Sequence, residues 1–119
     1  MVEDEGIVAL DLSNTLRHLG YIVAGVAVSG EQAIQLAVET KPDLVTMDIR
    51  LRGEIDGIEA AQQIRSRLSV PIIFVTAFAD ENTLQRARMT NPAGFLSKPF
   101  VKSQLYEAIE TAISRPASD

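Results

Sequence analysis

Apolar residues follow two patterns along the chain, and segments of the two kinds alternate. Between residues 6 and 19 the apolar positions are three or four apart, which predicts a helix with one buried face that stops before Gly20. Residues 22–28 are a continuous run of small and β-branched apolar side chains, which is typical of a buried strand. The same patterns predict strands over 43–48, 71–75 and 94–97, and helices over 31–40, 57–68, 80–89 and 103–114.

These alternating elements predict an α/β fold built from βαβ units, with a parallel sheet covered by helices on both faces. The run from Pro71 to Val75 is the richest in β-branched and aromatic residues, so we expect it to form a central strand. In an open sheet of this kind, ligands bind in the crevice at the carboxyl ends of the strands. The residues that follow each predicted strand are therefore the first candidates for a site.

Composition narrows the classes of function that such a fold could carry. A chain of 119 residues, 46% of them apolar, is long enough for one domain with its own core. The absence of cysteine excludes disulfides and thiol chemistry and favours the cytoplasm, while a single histidine leaves Mg²⁺ or Ca²⁺ held by oxygens as the metals to consider. A net charge of −5 disfavours direct binding to nucleic acid, and the apolar runs are too short for a membrane helix.

Polar residues of complementary chemistry stand at the predicted strand ends. Carboxylates that crowd together repel one another and are stable when a cation joins them, so acidic residues at several strand ends indicate a Mg²⁺ site. A hydroxyl and an ammonium group at the same edge would suit the oxygens of a phosphoryl group carried by one of the carboxylates. The residues concerned are Glu3, Asp4, Asp48, Thr76 and Lys98.

The order of these segments resembles the receiver domain of two-component response regulators. The resemblance rests on residues 2–5, 42–48, 56–57, 71–77 and 94–100, and so extends over nearly the whole chain. It implies a flavodoxin-like, doubly wound (βα)5 fold, a three-layer sandwich whose parallel strands lie in the order 2-1-3-4-5.

The resemblance also implies a role for each residue at the strand ends. Asp48 would be the phosphoacceptor, and the Lys98–Pro99 peptide bond would be cis, as it is in relatives. Thr76 and Phe95 would form the pair that switches on phosphorylation. The Mg²⁺ ligands would be Glu3, Asp4, Asp48 and the backbone carbonyl of Arg50, and the phosphate contacts would be Thr76, Ala77 and Lys98.

Partners follow from the same resemblance. A histidine kinase or phosphotransfer protein would supply the phosphoryl group. The output would be the face formed by the fourth helix, the last strand and the last helix, which would act on a downstream effector or on a linked domain of a longer parent chain, and a homodimer is allowed. We expect a single receiver domain over residues 1–119, with a tail from about residue 115 and no output domain in this chain. Its only catalysis would be its own phosphorylation and slow dephosphorylation.

One departure and three alternatives accompany this interpretation. Only Met1 and Val2 precede the acidic pair, so we expect a shortened first strand, which would leave a gap in the sheet flanked by two edges unless another segment fills it. A degenerate receiver that binds partners without phosphorylation remains an alternative. An aspartate-nucleophile phosphatase of the haloacid dehalogenase kind is disfavoured because Arg50 stands where its second Asp would be. A nucleotide- or flavin-binding domain is disfavoured because no glycine-rich loop follows the first strand.

Overall fold

Helices and parallel strands alternate along the chain. The computed structural model describes residues 1–3, 5–51, 53–77 and 80–114. Within these residues, no helix is long and apolar enough to span a bilayer. The helices are α1 (Gly6–His18), α2 (Gly30–Thr40), α3 (Gly57–Arg67), α4 (Glu81–Arg88) and α5 (Lys102–Ser114), and the strands are β1 (Val45–Met47), β2 (Ile72–Thr76) and β3 (Gly94–Ser97).

The three strands form a parallel sheet in the order β1-β2-β3. Val45 pairs with Ile72, and Ile73 pairs with Gly94. All five residues of β2 are buried, which confirms that the β-branched run after Pro71 forms a central strand.

The first two expected strands are present only as single bridges beside β1. Val2 pairs in parallel with Ala27 on one side and with Met47 on the other, as the order 2-1-3 requires. The strand expected over residues 22–28 is otherwise wrong, since residues 21–26 belong to no regular element and Ile22 is 95% exposed. A strand needs a ladder of hydrogen bonds along its length, and the described pairing of this segment is a single bridge at Ala27.

Side chains of the helices and strands form a core on each face of the sheet. Successive residues of β2 point to opposite faces, as the pleat of a strand requires. One core joins Phe74 to residues of α2 and α3, including Ile58 and Ile64. The other joins Ile73 and Val75 to residues of α1 and α5: Leu12, Leu16, Leu105 and Ile109. The three-layer α/β arrangement predicted from the sequence is therefore confirmed.

Local capping fixes where the helices begin. The side chain of Asp56 accepts a hydrogen bond from the Glu59 N–H at 2.9 Å and so caps the start of α3. Asp80 caps α4 in the same way, through the Thr83 N–H at 2.7 Å. α5 begins at Lys102, one residue earlier than predicted. Val101 has no side-chain acceptor, but its own N–H donates to Gln104 Oε1 at 2.9 Å, which supports the earlier start.

Gly57 lies against the backbone that follows β1, and this contact provides the first prediction. Its N–H donates to the Ile49 carbonyl at 2.8 Å, and a Cβ added here would lie 2.0 Å from the Asp48 carbonyl oxygen. We expect Gly57→Ala to lower the free energy of unfolding by about 3 kcal/mol or more, because backbone must move to relieve the clash. Urea denaturation followed by circular dichroism measures the loss.

Gly94→Ala is the matched control. A Cβ at Gly94 would meet only Ile73 Cγ1, at the ordinary contact distance of 3.8 Å. This substitution should change the free energy of unfolding by less than about 1 kcal/mol. Equal effects of the two substitutions would contradict the account of the Gly57 contact.

Candidate functional site

The residues predicted for the site converge at the carboxyl edge of the sheet. Asp48 directly follows β1, Thr76 is the last residue of β2, and Lys98 directly follows β3. Glu3 follows Val2, which lies beside β1. Parallel strands bring their carboxyl ends to one edge, so residues far apart in sequence meet there.

Lys98 holds the two described carboxylates of the site. Its Nζ lies 2.5 Å from Glu3 Oε1 and 3.4 Å from Asp48 Oδ2. Glu3 is 1% exposed and Asp48 is 8% exposed. Buried carboxylates are stable only when they are paired and hydrogen-bonded, and the shared ammonium group supplies that pairing.

Backbone hydrogen bonds fix where Glu3 and Asp48 lie. The Val2 N–H donates to the Thr46 carbonyl at 2.8 Å, and the Asp48 N–H donates to the Val2 carbonyl at 3.0 Å. The Glu3 N–H donates to Ala27 on the other side, at 3.0 Å. The carboxylate of Asp48 in turn accepts from the Arg50 N–H at 3.2 Å. Both carboxylates are therefore held by the extended backbone that carries them.

The burial of the site changes its electrostatics. Burial raises the pKa of Asp48 from its ordinary 3.8 to about 6; repulsion from Glu3 adds to this rise, and Lys98 opposes it. Burial works against the charge of Lys98, yet its hydrogen bond to Glu3 and its attraction to Asp48 leave the pKa of the ammonium group raised. At neutral pH the site thus contains a cation and an unusually basic aspartate.

The oxygens of Glu3 and Asp48 suit a hard divalent cation, because both carboxylates are buried at one edge and belong to the ligand class that Mg²⁺ prefers. Asp4, the other acidic residue predicted as a ligand, lies outside the described residues. In the described part of the chain, no group of three acidic or histidine side chains converges to hold a metal. The described contact of Arg50 with Asp48 is through its N–H, and its carbonyl remains a predicted ligand.

The remaining predicted residues lie at or near the same edge. Thr76 is buried, and its carbonyl accepts from the Lys98 N–H at 2.9 Å, while Ala77 is exposed beyond the end of β2. The Lys98–Pro99 peptide bond is cis. Phe95 is 36% exposed, and its ring centroid lies 5.6 Å from that of the buried Phe74.

One contributor to the site was not predicted. Val2 carries no functional group, yet its backbone connects Glu3 to the strand that precedes Asp48. The position of Val2 directly before the acidic pair Glu3 and Asp4 was the sequence signal that could have identified this role. Outside the site, an ion pair at 3.1 Å between Arg86 of α4 and Asp56, the residue that caps α3, was also not predicted. This pair joins helices that are distant in sequence, so no local pattern predicts it.

The fold is that of a doubly wound α/β domain. At the carboxyl edge of its sheet, two acidic side chains pair with one lysine. The model of the response regulator receiver domain family matches residues 1–110. The chain belongs to this family, whose members are signalling domains.

Individual relatives agree with this assignment. The chain is 43% identical over 115 residues to the transcriptional regulatory protein PdtaR of Mycobacterium tuberculosis, covering 97% of this chain but only 56% of PdtaR. The receiver domain of a modulated diguanylate cyclase from Desulfovibrio desulfuricans superposes with a TM-score of 0.89 and 42% identity, covering 94% of this chain and 89% of that one. The receiver domain of a sensor histidine kinase from Pseudomonas aeruginosa, described with magnesium coordinated in its active-site cleft, has a TM-score of 0.86 and 31% identity, covering 96% and 94%.

The raised pKa of Asp48 predicts a stability that depends on pH. The folded value of about 6 exceeds the ordinary 3.8, so the charged carboxylate destabilises the folded state. The stability that the neutral carboxyl contributes is complete below about pH 4 and is lost as the pH rises through 6. We expect Asp48→Asn to raise the free energy of unfolding by about 2 kcal/mol at pH 8 and to have little effect near pH 4.

Urea denaturation in the presence of a chelator, repeated between pH 4 and pH 8, measures this effect. Asp43→Asn is the matched control, because Asp43 is an exposed aspartate near the opposite end of the same strand. A gain from Asp48→Asn that is equally large at both ends of the pH range would contradict the assignment.

Proposed function

We propose that this domain accepts a phosphoryl group on Asp48 from the phosphohistidine of a histidine kinase or phosphotransfer protein. The observation that supports this most strongly is the position of Lys98 Nζ, within 2.5 Å of Glu3 and 3.4 Å of Asp48. An ammonium group at an acidic strand end can contact both the acceptor carboxylate and the oxygens of an incoming phosphoryl group.

The transfer would proceed by attack of an Asp48 carboxylate oxygen on phosphorus. An O–P bond forms, the P–N bond to the donor imidazole breaks, and the imidazole keeps the electron pair. A pKa of about 6 leaves Asp48 mostly ionised at neutral pH and more basic than an ordinary aspartate. The Arg50 N–H, 3.2 Å from Oδ1, holds the carboxylate in place for the attack.

Glu3 and Asp48 would hold Mg²⁺ through their carboxylate oxygens, with Asp4 and the Arg50 carbonyl as further ligands. When bound, the ion would supply positive charge that offsets the repulsion between the carboxylates and the phosphoryl oxygens. Lys98, which now pairs with both carboxylates, would then be free to contact phosphate.

The response to phosphorylation would pass through Thr76 and Phe95. The Thr76 hydroxyl and the Ala77 backbone would contact the new phosphoryl oxygens, and the Phe95 ring would move inward from its half-exposed position beside Phe74. The face formed by α4, β3 and α5 would change with it. We propose this face as the contact for a cytoplasmic effector, for a linked domain in a longer parent chain, or for a second copy of the domain.

A direct test is phosphorylation by acetyl phosphate in the presence of Mg²⁺. We expect one phosphoryl group per chain by mass spectrometry, complete loss of labelling in Asp48→Asn, and at least a tenfold slower reaction in Lys98→Ala. The exposed Asp43→Asn should be labelled as fast as the unmodified chain.

Labelling that persists in Asp48→Asn would exclude Asp48 as the acceptor. If the folded, unmodified chain neither becomes labelled nor binds beryllofluoride, the domain is a receiver that acts by phosphorylation-independent binding instead. Omission of Mg²⁺ should abolish labelling, and undiminished labelling in a chelator would contradict the proposed metal site.

The proposed switch can be separated from the chemistry through Thr76. Thr76→Val keeps the shape of the side chain and removes the hydroxyl, so phosphorylation of Asp48 should continue while the movement of Phe95 is lost. NMR of the Phe95 ring with and without beryllofluoride reports the movement. A ring response in Thr76→Val as large as in the unmodified chain would exclude the hydroxyl as the trigger.

A further inference from the structure

Apolar packing holds α4 less firmly than it holds α3, which lies on the same face of the sheet. All eight residues of α4 are described, and Ala87 is the one that is buried. α3 buries five residues, among them Ile58 and Ile64, in the core that Ala87 also joins. Burial of apolar side chains is the main source of stability for a surface helix. The position of α4 therefore depends more on polar contacts than the position of α3 does.

An ion pair connects α4 to the start of α3. The Nη2 atom of Arg86 lies 3.1 Å from Asp56 Oδ2. The other carboxylate oxygen of Asp56, Oδ1, accepts the Glu59 N–H and so caps α3. Because the cap fixes the direction of the Asp56 side chain, the guanidinium group of Arg86 meets an acceptor whose orientation is already set.

The start of α3 is in turn fixed to the backbone that follows the phosphoacceptor candidate. The Gly57 N–H donates to the Ile49 carbonyl at 2.8 Å, and a Cβ at Gly57 would lie 2.0 Å from the Asp48 carbonyl oxygen. Asp56 thus belongs to the closely packed part of the domain around Asp48. Arg86 belongs to a helix of the face that we propose to change on phosphorylation. The ion pair spans the boundary between these two parts.

The pair is suited to bias an equilibrium rather than to stabilise the fold. The side chain of Arg86 is 50% exposed and that of Asp56 is 30% exposed. Ion pairs in contact with solvent contribute little to the free energy of unfolding. Two arrangements of one helix differ much less in free energy than the folded and unfolded states do, so a contact of this size changes their ratio severalfold.

We propose that Arg86 and Asp56 form a latch that holds α4 in the position seen here and opposes the change of the face formed by α4, β3 and α5. The inference rests on the proposed function, because it concerns the switch that phosphorylation of Asp48 would operate. A contact that is made in one of two arrangements and lost in the other shifts their ratio by its own free energy. A ligand that favours the second arrangement must overcome that free energy, so removal of the latch makes it bind more tightly.

The affinity for beryllofluoride, a mimic of the phosphoryl group, measures the effect of the latch. By NMR titration in the presence of Mg²⁺, we expect Arg86→Met to bind beryllofluoride about threefold more tightly than the unmodified chain does. Methionine keeps a long side chain that favours a helix and removes the hydrogen-bond donors. Arg88→Met is the matched control. It makes the same change two residues further along α4, at an exposed side chain, and should leave the affinity unchanged.

Asp56→Asn separates the latch from the helix cap. Asparagine caps a helix about as well as aspartate does, so α3 keeps its start, but the charge that Arg86 contacts is lost. We expect the same gain in affinity from Asp56→Asn as from Arg86→Met, and no further gain when the two are combined, because both remove one contact. A combined gain of about ninefold would mean that the two side chains act separately, and it would overturn the proposal.

Hydrogen exchange tests the latch without any ligand. The amides of α4 should exchange about threefold faster in Arg86→Met than in Arg88→Met, while those of α3 should exchange equally in both. Equal exchange of α4 in the two variants, or equal affinity of the two for beryllofluoride, would overturn the proposal. If the unmodified chain does not bind beryllofluoride, that result contradicts the proposed function instead, and faster exchange of α4 in Arg86→Met would still support the latch.

Discussion

The backbone pairing of Val2 is the interaction on which the site depends. Its N–H and carbonyl bond to Thr46 and Asp48, and the neighbouring Glu3 bonds to Ala27. These few hydrogen bonds place an acidic side chain beside the phosphoacceptor candidate and connect the segment before α2 to the sheet. Without them, Glu3 and Asp48 would belong to unrelated parts of the chain, and Lys98 would have a single carboxylate to bind.

The second constraint is the repulsion between buried carboxylates. Glu3 and Asp48 lie in a region that excludes most water, and Lys98 is the cation that the described residues provide for both. The ammonium group does not fully compensate for burial, because the pKa of Asp48 is still raised. A site with this residual repulsion favours the binding of additional positive charge. A divalent ion bound to these two carboxylates would relieve that repulsion.

The sequence correctly predicted the elements whose signals, capping residues and periodic apolar positions, lie within the element itself. β3 was found at its observed bounds and α3 begins at Gly57 as predicted, because capping and periodicity are local properties. α4 begins at Glu81, one residue after the predicted start, since Asp80 caps the helix instead of joining it. The segment over residues 22–28 was predicted as a strand because its composition is that of a strand. Composition does not reveal whether a partner lies alongside, and the described pairing of this segment is the single bridge between Ala27 and Val2. The residues of the site were predicted from topology rather than from local composition. Each lies at a strand end, and a parallel sheet brings those ends together.

The burial of every residue of β2 limits how a signal could leave Thr76. Ile73 and Val75 are fixed in one core and Phe74 in the other, so the strand cannot slide or tilt without disturbing packing on both faces. A response at Thr76 would therefore consist of side-chain torsions rather than backbone displacement. Its reach would then depend on side-chain rotamers along β2 and β3, such as that of the Phe95 ring beside Phe74.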